Sequence, residues 1–152
     1  MTKGRRRYFQ LAEANAQVSR LNLLFSLAMQ LRGQLKDLYK KLEAGGCAPT
    51  NDKTEASRVP PELERDYQVF FGLADSLREQ LEAVAATGCV IKDLEIGLVD
   101  WPALHGGREI WLCWRYGEPE VAYWHEIDGG FAGRRPVAEL LAAASGPGGD
   151  PN

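Results

Sequence analysis

"LEAVAATGCVIKDLEIGLVDWPA", Leu81–Ala103, is the stretch in which the chain changes its period. Before it, Leu63, Tyr67, Phe70, Ala74, Leu77, Leu81 and Val84 recur in an unbroken 4-3-4-3-4-3 spacing. That spacing winds a single apolar stripe along a helix. Beyond Gly88 the apolar residues alternate, as in strands whose side chains go to opposite faces. One switch from helical to alternating period predicts an α+β chain, with helices first and sheet after.

Toward the N-terminus the helical period continues. Leu11, Ala14, Val18, Leu21, Phe25 and Ala28, then Leu31, Leu35, Leu38 and Leu42 after a one-step shift, predict one long helix over 8–44. The shift after Ala28 breaks a strict heptad and predicts a local distortion of any supercoil. Gly45-Gly46 and Pro49 stop this helix, 47–58 reads as a mobile polar loop, and Pro60-Pro61 opens a second helix over 61–87. Two long stripes joined by one loop predict an antiparallel, coiled-coil-like helical hairpin.

Toward the C-terminus, "CVIKDLEIGLVDWPA", "REIWLCWRY" and "VAYWHEID" predict an antiparallel sheet of about three strands over 89–130. Gly117-Glu118-Pro119-Glu120 is the tight turn between the last two strands. A short helix over 136–144 and a disordered tail at 146–152 complete a single α+β domain spanning 1–145.

Composition narrows the function. No apolar run reaches the ~18 residues of a membrane helix, and no apolar segment of a secretory leader follows the basic start. A cytoplasmic protein is expected. The three cysteines, Cys47, Cys89 and Cys113, form no CxxC pair, which disfavours a disulfide framework or an all-cysteine zinc site. Cys113, within an aromatic strand, reads as a small buried hydrophobe. Nine of the 18 basic residues fall in the first 45 positions, yet no aromatic interleaving or DNA-binding motif surrounds Arg32, Lys36, Lys40 and Lys41. Nucleic acid is therefore disfavoured as a partner.

The chemistry-bearing residues gather in the β-region. Pairing the last two strands through a four-residue turn sets Tyr116 opposite Val121 and Leu112 opposite His125. His125 then shares a face with Ile110 and Leu112, away from Trp111 and Cys113. The first strand carries Asp93, Glu95 and Asp100; a bulge at Gly97 would bring Asp93 and Asp100 to one side. Asp93, Asp100 and His125, with Glu118 nearby, form a candidate site for Mn, Fe or Zn. The competing expectation is a turn-capping Asp100 and a half-buried sheet histidine. Arg134 and Arg135 precede a helix start and are candidates for anion binding, or for pairing with the acidic residues of the sheet. All four tryptophans, Trp101, Trp111, Trp114 and Trp124, lie in this region and are expected mainly as core.

"YFQLAEAN", "KDLEIGLVDWPA" and "GREIWLCWRYGEPEVAYWHEIDGGFAGRRP", with the long helical spacer between them, resemble the bacterial DUF2203 family. The likeness reaches to about residue 140 and implies a prokaryotic origin and a shared fold, but no activity. The expectation is a non-catalytic module that oligomerises or docks a protein partner through its helical hairpin. The alternative is a metal-binding protein or metal-dependent hydrolase built on the Asp/His cluster.

Overall fold

The computed structural model describes residues 7–50 and 58–144. The expected tail at 146–152, most of the basic start and the middle of the 47–58 loop lie outside the described residues. The elements run α1 (Leu11–Asn15), α2 (Val18–Ala44), a single 3-10 turn (Pro61–Leu63), α3 (Glu64–Ala86), β1 (Val90–Asp93), β2 (Leu98–His105), β3 (Arg108–Arg115), β4 (Tyr123–His125), a second 3-10 turn (Phe131–Gly133), β5 (Arg135–Pro136) and α4 (Ala138–Ala144). The fold is α+β with two long helices. The sheet is antiparallel and has five strands rather than about three, in the order β1-β2-β3-β4-β5.

Two compact units divide the chain: Leu24–Ala83 forms one, and the sequence on either side of it forms the other. In the first unit, α2 ends where its glycines predict. Gly46 takes φ +80°, its N–H donates to Glu43 O at 3.0 Å, and the Cys47 N–H donates to Leu42 O at 2.9 Å. This is a Schellman ending, with Cys47 and Leu42 both buried as its apolar contact. Lys41 pairs with Asp66 at 2.6 Å and the Tyr39 ring meets Phe70 at 6.3 Å, so the end of α2 lies against the start of α3. The stripe is poorly covered: Val84 is the one buried residue of α3.

In the second unit the expected helix over 8–44 is interrupted at Ala16-Gln17, between α1 and α2. Next to the interruption, the Asn15 side-chain oxygen accepts the Val121 N–H at 2.7 Å. Within "KDLEIGL", residues 94–97 form a turn between β1 and β2, so the stretch is not a bulged single strand. The Glu95 N–H donates to Asp93 Oδ1 at 2.9 Å, Gly97 takes φ +69°, and the bulge falls between Ile91 and Asp93. β2 and β3 meet through Gly106-Gly107, both at positive φ, as a two-residue hairpin requires.

β2 is buried on both faces from Leu98 to Ala103. Proline is rare inside a paired strand because it lacks the ladder N–H. Pro102 is tolerated because β1 pairs only as far as Asp100, and the Phe9 N–H caps the Pro102 carbonyl at 2.7 Å on that open side. The Phe9 ring in turn fills the space at Gly88, where any Cβ would collide with it at 2.2 Å. Val99, Trp101, Ile110, Leu112, Trp114 and Trp124 are buried on one sheet face.

Candidate functional site

The register of β3 against β4 decides the site. The turn after β3 is not the expected hairpin. The Tyr116 N–H donates to Gly97 O at 2.9 Å and the Val121 N–H is held by Asn15, so those two residues do not pair. The pairs are Trp111 with His125, Leu112 with Trp124, and Cys113 with Tyr123. This is one step from the expected register, and one step turns every side chain to the other face. His125 therefore shares a face with Trp111 and Cys113, not with Ile110 and Leu112.

On that face Asp100 stands on β2 directly across from Cys113 on β3. His125 lies on β4, the next strand over. Its ring reaches across the middle strand, placing Nε2 2.8 Å from Asp100 Oδ2. Cys113 belongs to the same cluster: one ligand atom each from Asp100, Cys113 and His125 lies within 4.8 Å of the others. All three residues are buried, at 1%, 0% and 3% exposure. The thiol was not expected among the site residues. Only its parity with Asp100 and His125 in the true register would have exposed it.

Hydrogen-bond roles follow from the acceptors. His125 Nδ1 lies 2.7 Å from Glu126 O, a carbonyl that can only accept, so Nδ1 carries a proton. Nε2 faces a carboxylate oxygen, so a single further proton lies between His125 and Asp100. Both ring nitrogens are thereby engaged, and neither can take the proton of Cys113. Burial pushes that thiol far above its ordinary range, and the Asp100 charge pushes it further. A thiol held protonated and out of solvent is the opposite of an activated nucleophile. Asp100 Oδ1 is buried and has no hydrogen-bond partner among the described residues.

The other candidates lie elsewhere. Asp93 is exposed, accepts a local turn hydrogen bond, and stands outside the Asp100–Cys113–His125 cluster. Glu118 holds the turn after β3: Oε1 accepts the Arg115 N–H at 2.8 Å and Arg134 Nη2 at 2.6 Å. Arg134 lies over the Tyr123 ring at 4.0 Å and the Phe131 ring at 4.9 Å. Its charge also acts on the Cys113 thiol, in the lowering direction. Arg135 pairs with Glu139 at 2.7 Å, one helical turn along. Both arginines that were candidates for an anion are thus engaged by carboxylates. Asp100 does not cap a turn, because β2 runs straight through it.

The sequence model of the family DUF2203, described as an uncharacterized conserved protein, matches residues 7–137, and the chain belongs to that family. Neither a curated protein nor a solved structure matches. Among the described residues, no helix is long and apolar enough to cross a membrane.

Proposed function

We propose that this DUF2203 protein is a non-catalytic module that self-associates through α2 and α3, the two acting as an antiparallel, coiled-coil-like hairpin. One observation carries this reading. α3 keeps its apolar spacing over 23 residues, yet Val84, in its last turn, is the one residue of it that is buried. In water most of a helix's stability comes from burying such a stripe. The α3 stripe is otherwise only half-buried, and beside it Val69 and Phe71 are 40% and 38% exposed, as is Leu27 of α2 at 41%. Tyr67 and Phe71 also line an open groove with Val59. A second copy is the occupant that fits, since a 4-3 repeat on one chain is complementary to the same repeat on a twofold-related chain.

The closed polar cluster supports the non-catalytic half of the reading. Asp100, Cys113 and His125 present no solvent-facing group to a substrate. Sedimentation of the full chain tests the proposal. The expected species is a dimer, and Phe71→Glu should convert it to a monomer with an unchanged circular dichroism spectrum. A wild-type chain that sediments as a monomer at every concentration would remove the proposal.

A further inference from the structure

We propose that Asp100, Cys113 and His125 together bind one zinc ion, through a carboxylate oxygen, Sγ and Nε2. The site goes beyond self-association and does not depend on it. Its first support is distance. The three ligand atoms lie within 4.8 Å of one another. Tetrahedral zinc with bonds of about 2.0–2.3 Å sets its ligand atoms roughly 3.3–3.8 Å apart. The longest separation would have to close by about 1 Å, while the Nε2–Oδ2 pair, now at 2.8 Å, would open by about 0.5 Å.

The second support is orientation. A zinc-binding imidazole characteristically donates its other N–H to a carbonyl or carboxylate, which fixes the tautomer and aims the free lone pair. The His125 Nδ1 hydrogen bond to Glu126 O at 2.7 Å does this and aims Nε2 into the cluster. The third support is the Asp100 carboxylate. Its Oδ1 is buried without a partner among the described residues, in a residue only 1% exposed. Buried carboxylate oxygens are nearly always satisfied, and a cation satisfies this one.

Charge and softness choose the ion. A divalent ion held by one thiolate, one carboxylate and one neutral imidazole makes a cluster of zero net charge, which suits a buried position. Thiolate with imidazole favours zinc and disfavours manganese. Binding is balanced by two protons leaving: one from the Cys113 thiol, and the one lying between Asp100 and His125.

The full chain, purified without a histidine tag, is unfolded with chelator and refolded with one equivalent of Co²⁺, a spectroscopic stand-in for Zn²⁺. The expected result is a thiolate-to-cobalt charge-transfer band at one ion per chain, abolished by adding Zn²⁺, with about two protons released per ion. Cys113→Ser should lose the band. It should also weaken zinc binding well over tenfold, since removing even an outer partner costs roughly 10–100-fold. Asp93→Asn and Cys89→Ser should keep both band and affinity. No band in the wild-type chain overturns the site, as does a band that survives in Cys113→Ser.

Discussion

The sheet and α3 put their apolar residues to opposite ends. In β2 and β3 most side chains are buried, a carboxylate among them, and an imidazole is buried on the neighbouring β4. Along α3 an equally regular apolar pattern leaves a single residue buried. Regular patterning therefore does not by itself make a core. A sheet strand meets neighbours on both edges and both faces, whereas a two-helix arrangement covers each stripe along one line only. The polar cluster follows from the same difference. In the buried sheet interior the low local dielectric makes an Asp–His pair consequential.

The largest effects should separate these two regions. Trp114 is fully buried, and Trp114→Ala should cost about 4 kcal/mol of unfolding free energy, as large-to-small core changes do. Leu77→Ala in α3, at a half-buried stripe position, should cost far less in the monomer. Urea titrations of both variants make the comparison, and equal losses would break it. Next, Asp100→Ala should cost about 3 kcal/mol, because it strands the His125 ring where Asp100 now meets it at 2.8 Å. Asp100→Val combined with His125→Leu should cost less than the two single changes added together, a deficit that a double-mutant cycle reads directly.

Arg134 then sharpens the contrast among charged residues. Its side chain is 11% exposed, bound to Glu118 and laid over two aromatic rings, and Arg134→Ala should cost about 2 kcal/mol. A pH titration tests the buried thiols. Burial raises Cys113, and Cys89 likewise, above the ordinary thiol value near about 8.5. Raised acids keep their protons in the fold while the unfolded chain loses them, so metal-free stability is full below about pH 8.5 and falls above it. The slope should approach roughly 1.4 kcal/mol per pH unit from Cys113, with Cys89 adding in the same direction, and Cys113→Val should lessen it. Melting temperatures between pH 7 and 10 would show this. The smallest effect belongs to α3. Arg78 bridges Glu82 at 3.2 Å and Asp75 at 3.6 Å on an exposed face, and Arg78→Ala should change stability by less than about 0.5 kcal/mol. A larger loss, read as a shift in the urea midpoint, would mean that this face is covered.

Much of the fold was legible because its causes are local. The stripes of α2 and α3, the Gly45-Gly46 stop and the change of period after Gly88 each depend on a few neighbouring residues. Asp100 and His125 were legible as candidates by their chemistry alone. What escaped was set by distant groups. The break at Ala16-Gln17 adjoins an asparagine that serves Val121, over a hundred positions away. β5 is only Arg135–Pro136, too short to show a period. Cys113 escaped because its role depends on which strand faces share a side, and the expected turn set that wrongly.

By itself, then, the sequence determined which segments are helical, which are extended, and which residues are able to carry chemistry, since periodicity and residue type are properties of the chain. Only the tertiary structure decided that Asp100, Cys113 and His125 meet. Facing in a sheet is relative: it is fixed when one strand's hydrogen bonds choose their partners on the next. Here that choice was made by Gly97 and Asn15, which take the N–H groups of Tyr116 and Val121 and shift β4 by the single residue that turns His125 toward Asp100.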